Sequence, residues 1–308
     1  MTILRIERAV YGVDDVATCR RFFEDFGLTA EAADGSDGSD ECVVLTTRTN
    51  QVVELRRRDD MALPPAVEPG STLRELVWGV DDQAALDRLV ENLRKDRTVA
   101  VDARGVAHTH DEAGFGLGLA VAAVVPVDVP AAAVNRPGAL RRWNAPLPPP
   151  DGAVQPLRIC HVAWNIPKKG RAEAVAFYVD RLGFRITDDV LPMGTFLRAD
   201  GDQDQHTLLL CHRPDRAGVN HTAYEVAGFD EVILGGNQMI AKGWREARRL
   251  GRHTVGSNVF RFVHAPCGGR VEYAADMDRV DASYPARVHE TTPPHHLWTL
   301  LTNRDGDE

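Results

Sequence analysis

The sequence predicts an α+β protein of two tandem domains. Each consists of two βαβββ modules whose strands make a curved, open, barrel-like sheet with helices outside. Three observations predict this. Short β-like apolar runs bounded by turn residues are interrupted by two amphipathic helical stretches in each half. The pattern restarts after a proline-rich stretch, where Leu157-Arg158-Ile159-Cys160-His161 parallels Leu4-Arg5-Ile6-Glu7-Arg8. The offset then stays near about 150 residues, pairing Arg8 with His161, Glu75 with His221 and Gly118 with Glu272, as an internal duplication does.

In chain order, residues 3–13 read as a strand, and Asp14-Asp15 opens a helix whose Val16, Cys19, Phe22, Phe23 and Phe26 share one face. Gly27 stops that helix. Residues 34–40 are a Gly/Ser/Asp turn cluster, and 42–46 with 51–55 read as a hairpin. A strand at 73–80 leads into a second helix, opened by Asp81-Asp82, with Leu86, Leu89, Val90 and Leu93 on its face. Two more strands end with 116–125. In the second half, a helix at 173–182 stops at Gly183, strands are expected at 205–211 and 220–226, and 229–249 holds the second helix. Strands at 259–263 and 270–274 close the pattern. The resulting division is a first domain over 1–130, a proline-rich ordered connection over 131–156 that includes Pro148-Pro149-Pro150, and a second domain over 157–308 with a C-terminal tail.

Bulk composition sets the class. The 308 residues are 44% hydrophobic and 26% charged, in the range of globular domains. A net charge of −9 and a pI of about 5.7 argue against nucleic-acid or anionic-membrane partners. The densest basic run, 242–253, reads as a solvated helix face. Five cysteines without a C-x-x-C pair suggest neither a disulfide framework nor a zinc ribbon, which fits a reducing cytoplasm. The longest apolar run, 119–125, is too short to span a bilayer.

His161, His221 and Glu272 each sit inside a strand-like apolar run of the second half. Alternate residues of a strand share a face, so a curved sheet can turn one side chain from each of several strands into its concavity. Two imidazoles and one carboxylate with other positions left open suit non-haem Fe(II), with Mn(II) as a substitute. The first half carries Arg8, Glu75 and Gly118 at the matching positions, and that set cannot build the same site.

The second half resembles the catalytic domain of type I extradiol ring-cleavage dioxygenases, in the vicinal oxygen chelate superfamily with glyoxalase I and bleomycin-resistance proteins. The run Gly251-Arg252-His253-Thr254-Val255-Gly256, then Val259-Phe260-Arg261-Phe262 and Gly269-Arg270-Val271-Glu272-Tyr273, carries the resemblance. It implies His161, His221 and Glu272 as metal ligands, His206 of Gln205-His206-Thr207-Leu208 as acid/base, and His253 as a hydrogen-bond partner of a substrate oxygen. It also implies a homo-oligomer that opens the ring of a catechol-type diol with O2. Phe260, Phe262 and Leu208, with Trp164, Phe196 and Leu210, are the apolar candidates for the substrate pocket and favour a bicyclic or substituted diol, while Arg198 and Arg261 leave an acidic one open.

Two departures stand out. Phe262 occupies the place of the family's tyrosine, and a phenyl ring has no hydrogen-bonding group. Loss of a contact of oxyanion-hole type slows turnover roughly 10²–10³-fold. Ala265-Pro266-Cys267-Gly268 replaces the usual Asp-Pro turn. The competing expectations are another metal enzyme of the superfamily (isomerase, epimerase or hydrolase) and a metal-free sequestering protein of the resistance type.

Overall fold

The computed structural model describes residues 2–31, 42–130, 133–147 and 152–301. The turn cluster at 34–40 and Pro148-Pro149-Pro150 lie outside them. The first module is β1 (Ile3–Val13), α1 (Val16–Phe26), β2 (Thr29–Ala30), β3 (Cys42–Thr46) and β4 (Val52–Arg57). The second is β5 (Thr72–Val80), α2 (Gln83–Leu93), β6 (Ala100–Val101), β7 (Ala107–His110) and β8 (Gly116–Val121). The third is β9 (Arg158–Pro167), α3 (Arg171–Ala176) with a π-helical turn at Phe177–Arg181, β10 (Arg185–Val190), β11 (Gly194–Arg198) and β12 (Leu208–Arg213). The fourth is β13 (Gly218–Glu225), α4 (Phe229–Ala241), β14 (Glu246–His253), β15 (Val259–His264) and β16 (Arg270–Ala275). Two strands of the tail, β17 (Arg287–His289) and β18 (His296–Thr299), join the second sheet.

The α+β class and the βαβββ repeat are as the sequence predicts. The sheet orders are β2-β3-β4-β1-β5-β8-β7-β6 and β17-β10-β11-β12-β9-β13-β16-β15-β14-β18. In both sheets the first strands of two modules pair antiparallel at the centre, and each pairs in parallel with the last strand of its own module. The registers make the duplication explicit. Arg8, Val77 and Gly118 are cross-strand partners in one sheet, as His161, Ala223 and Glu272 are in the other. Likewise Val10, Glu75 and Gly116 correspond to Ala163, His221 and Arg270.

Local chemistry fixes the helices. The Asp15 carboxylate accepts from the Thr18 amide at 2.9 Å, and Asp82 does the same for Ala85 at 2.7 Å. Gly27 ends α1 with φ of 104°, a left-handed turn that favours glycine. The apolar face of α1 then packs across both halves. Phe26 stacks on Tyr273 with centroids 3.8 Å apart, and the Tyr273 hydroxyl donates to the Phe26 carbonyl at 2.8 Å. Phe22 meets Trp244 edge-on at 5.0 Å. On the other side Phe115 stacks on Trp164 at 4.0 Å, and the Tyr178 hydroxyl donates to Asp111 at 2.8 Å. Aromatic pairs of this kind add about 0.5–1.5 kcal/mol each beyond their buried area. The first half thus braces β9, the strand that carries His161.

Two expectations are corrected. Residues 246–253 of the basic run are the strand β14, not a helix face; its charges lie on a strand partly covered by β15 and β18. The strand expected at 205–211 starts at Leu208, so His206 sits just ahead of it. In the connecting segment Leu140 and Trp143 remain exposed, and Val154 is the buried anchor. Among the described residues no helix is long and apolar enough to cross a membrane.

Candidate metal centre

The three central strands of the second sheet bring His161, His221 and Glu272 together. His161 Nε2 and His221 Nε2 are 3.1 Å apart, and Glu272 Oε2 lies 3.2 Å from the first and 3.3 Å from the second. All three residues are buried, Glu272 completely. Among the described residues this is the group of histidine, cysteine and acidic side chains placed to hold a metal ion.

The donor set fits such an ion. The His221 Nδ1–H donates to Asn220 Oδ1 at 2.9 Å, so its Nε2 presents a lone pair. Burial drives the pKa of His161 down to about 3 and that of His221 well below the usual histidine range, so both rings are neutral. Burial raises Glu272 to about 7, and its Oε2 has no hydrogen-bond partner. Two imidazole lone pairs and an orphaned carboxylate oxygen converging in a buried space form a donor set that a cation satisfies. The spacing agrees: bonds of about 2.0–2.2 Å put ligand atoms about 2.8–3.1 Å apart at right angles, and about 3.3–3.6 Å apart at tetrahedral angles. The observed 3.1–3.3 Å falls between these two ranges, the spacing of side chains that share one ion.

A cavity of about 400 Å³ opens onto the two histidines, with Met193, Phe196, Leu209, Val255 and Phe262 supplying apolar wall. His206 and His253 both line it. The His206 ring lies 4.4 Å from that of His161. Its Nδ1–H donates to Gln205 Oε1 at 2.7 Å, while Gln205 Nε2 donates to the buried Asp188 at 2.8 Å. Asp188 can only accept, so it fixes the Gln205 amide, which in turn leaves His206 Nε2 unprotonated. His253 stacks on Phe260 at 4.0 Å, and its Nδ1 is 3.4 Å from the His295 carbonyl. Residues 292–295 of the tail line the cavity as well.

Not every expected pocket residue faces the cavity. Leu208, Leu210 and Trp164 belong to the core. The alternation along β12 explains this, because Leu209, Cys211 and Arg213 point into the cavity and their neighbours point away. Phe260 is buried behind His253 rather than lining the space. Arg198 and Arg261 are engaged elsewhere, Arg198 with the Asp202 carbonyl and Arg261 with Glu246. His212 is buried within β12.

Sequence reasoning missed the residues that orient the set. Asn258 Nδ2 donates to Glu272 Oε1 at 3.0 Å, Asn220 holds His221, and Gln205 with Asp188 holds His206. The available signals were a polar amide directly before a ligand histidine and an asparagine adjoining the apolar start of β15. In the first half, Arg8 pairs with Glu54 and Glu75 meets His108 at 2.8 Å, so the corresponding polar groups satisfy one another around a cavity of about 760 Å³.

Comparison with known proteins agrees with this geometry. Residues 158–273 match the family model of the Glyoxalase/Bleomycin resistance protein/Dioxygenase superfamily. A segment of 135 residues is 38% identical to metapyrocatechase 2 of Cupriavidus necator, covering 43% of this chain and 41% of that protein. Another, of 141 residues, is 30% identical to biphenyl-2,3-diol 1,2-dioxygenase of Paraburkholderia xenovorans (strain LB400), covering 43% of this chain and 45% of that one. The chain thus aligns with about two-fifths of the length of these relatives. Over nearly the whole chain the fold matches a 2,3-dioxygenase from Pseudomonas sp. KL28 (TM-score 0.73, 18% identity, 94% of this chain and 98% of that). It also matches a Mn(II)-bound glyoxalase from Novosphingobium aromaticivorans (TM-score 0.72, 22% identity, 95% and 89%). The His161, His221 and Glu272 group thus lies within the segment, residues 158–273, that matches the glyoxalase/bleomycin resistance protein/dioxygenase family model.

Proposed function

We propose that this chain is a metal-dependent extradiol dioxygenase that opens the ring of a catechol-type diol with O2. His161, His221 and Glu272 hold the metal, Fe(II) by preference and Mn(II) as the alternative. The observation that carries the reading is the buried triangle of two neutral imidazoles and one carboxylate with an unpartnered oxygen, opening onto a cavity that His206 and His253 also line. The relatives' names, metapyrocatechase and biphenyl-2,3-diol dioxygenase, support the same class. In this reading residues 157–308 are the catalytic domain, 131–156 connect, and 1–130 are a scaffold without the metal site. The active form is a cytoplasmic homo-oligomer.

When bound, the metal supplies Lewis acidity toward the diol hydroxyls and neighbouring positions for diol and O2. The protein supplies the rest. His206, held with Nε2 as an acceptor, takes a proton from the bound diol and returns it as the ring opens. His253, with Nδ1 directed at the His295 carbonyl, receives a hydrogen bond from a diol oxygen at Nε2. Met193, Phe196 and Val255 exclude water from the ring. Phe262 is the feature that favours a different superfamily chemistry, because it brings no hydroxyl to the reacting oxygens.

Metal analysis of anaerobically purified or iron-reconstituted protein tests the reading. It predicts about one iron or manganese per chain, O2 consumption with a catechol, and loss of both in His161→Ala. Protein that takes up no transition metal after reconstitution contradicts it.

A further inference from the structure

The tail of the chain reaches toward the acid/base histidine from the edge of the second sheet. Strand β17 lies parallel to β10 there, with Arg287 opposite Asp188 and His289 opposite Val190. Arg287 and His289, two residues apart, share the strand face that meets Asp188. Arg287 Nη2 donates to Asp188 Oδ2 at 2.9 Å, its Nε lies 2.9 Å from Oδ1, and His289 Nε2 lies 2.6 Å from Oδ1. Asp188 itself has no exposed surface. The two ion-pair partners of this buried carboxylate, Arg287 and His289, thus both come from the tail. The Tyr284 ring lies 5.3 Å from the Arg287 guanidinium and steadies it.

The chain of contacts continues inward. Asp188 Oδ2, the oxygen held by Arg287 Nη2, also accepts from Gln205 Nε2 at 2.8 Å, and Gln205 Oε1 accepts from His206 Nδ1 at 2.7 Å. A guanidinium that grips both oxygens fixes the plane of a carboxylate, and so fixes where Oδ2 points. The other acceptor for Gln205 Nε2, Thr187 Oγ1 at 3.1 Å, is a hydroxyl that can turn and donate instead. Asp188 therefore decides which end of the Gln205 amide faces His206. Removing the cation from a buried ion pair leaves an uncompensated charge, a strongly unfavourable state. Without its tail partners the carboxylate swings toward water, and the Gln205 amide is free to reverse. Reversed, the amide offers Nε2 to His206, whose Nδ1 then accepts and whose proton moves to Nε2. Nε2 is the nitrogen that must be empty to take a proton. Arg287 and His289 lie beyond residues 158–273, so this support falls outside the segment that matches the family model.

We propose that Arg287 and His289 are positioning residues for proton transfer at His206, acting through Asp188 and Gln205. The tail strand sets the tautomer of the acid/base histidine across two intervening side chains. This rests on the dioxygenase reading above, in which His206 Nε2 takes the diol proton, and places the control of that proton at the edge of the sheet. Beyond β17 the same tail supplies the His295 carbonyl that meets His253 Nδ1, so one segment bears on both histidines of the cavity.

Two measurements test this separately from the dioxygenase reading. The first is nitrogen NMR of isotope-labelled histidines in the Zn(II)-loaded protein, with His206→Gln assigning the signal. The wild type should show His206 protonated at Nδ1. In Arg287→Met/His289→Gln the preference for that form should fall about tenfold or more, giving a mixture with the Nε2–H form. Arg287→Lys, which keeps the charge without the fork, should retain most of the preference. Both tail side chains are partly exposed and β17 pairs with β10 through its backbone, so the variants keep the fold, as unchanged circular dichroism verifies. The second is O2 uptake by iron-loaded enzyme with a catechol. The double variant should lower kcat about tenfold and leave KM within about twofold. In a Gln205→Leu background the same tail substitutions should lower kcat no further, because the route is already cut. A His206 tautomer indifferent to Arg287 and His289 overturns the proposal, and so do losses that simply add in the Gln205→Leu background. Full kcat in the tail variant also sinks it and leaves the dioxygenase intact. A tautomer that follows the tail in a protein that turns over no diol sustains the coupling and removes the dioxygenase reading instead.

Discussion

Replacing Asp111 by asparagine tests how the first half supports the metal-site strand. Asp111 is buried; its Oδ1 accepts from the amides of Ala113 at 2.9 Å and Phe115 at 3.0 Å, and its Oδ2 accepts from Tyr178 at 2.8 Å. The loop so formed sets Phe115 on Trp164, three residues after His161 on β9. Burial raises the Asp111 carboxyl from 3.8 to about 6, although these hydrogen bonds pull it the other way. A carboxyl with a raised pKa holds its proton more tightly in the folded state. Its contribution to stability is therefore complete below the unfolded pKa of 3.8 and is lost as the pH rises through about 6. The difference of about two pKa units corresponds to about 3 kcal/mol. Asparagine cannot ionise, and its amide can donate to the Tyr178 oxygen in place of the protonated carboxyl. Urea unfolding of the metal-free wild type and Asp111→Asn, followed by tryptophan fluorescence at pH values from about 4 to 7.5, reads the difference directly. The variant should gain on the wild type by about 3 kcal/mol across that range. A difference that stays flat with pH would mean that Asp111 is not held in a low-dielectric contact, and the bracing argument would lose its energetic basis.

Other predictions concern the groups around the metal. Asn258→Ala frees Glu272 Oε1, and iron affinity measured by chelator competition should fall about 10–100-fold; an unchanged affinity would show that Asn258 does not orient the ligand. Gln205→Leu removes the acceptor that sets the His206 tautomer, so kcat should drop by about tenfold or more, with an altered pH–rate profile and little change in KM. A normal profile would remove His206 from proton transfer or Gln205 from its control. Phe262→Tyr should raise turnover of simple catechols, read as kcat on a substrate panel; rates that stay level or fall mean that the hydroxyl has no role in this cavity.

Much of this was legible because the informative residues stood against their surroundings. Aspartate caps, the spacing of Phe22, Phe23 and Phe26, and the left-handed Gly27 encode α1 locally. His161, His221 and Glu272 are polar ligand types inside apolar strands, and the matching Arg8, Glu75 and Gly118 show which half carries the site. Less was legible where one residue of register decides a face. Leu208 and Leu209 are equally apolar, and only the strand pairing shows that Leu209 faces the cavity. The run at 242–253 has no apolar period, so its strand and the inward placement of Arg248 depend on pairing with β15 and β18. The Gln205–Asp188 contact joins the loop ahead of β12 to β10 and has no local sequence signature.

The most direct test of the central claim is an oxygen-electrode measurement on iron-loaded protein, run in parallel with product absorbance and a peroxide assay. The account predicts one O2 consumed per diol, a ring-opened product that absorbs in the visible, and no released peroxide, with Glu272→Ala inactive. O2 uptake that yields peroxide or quinone, or diol left unchanged by fully iron-loaded enzyme, would contradict it.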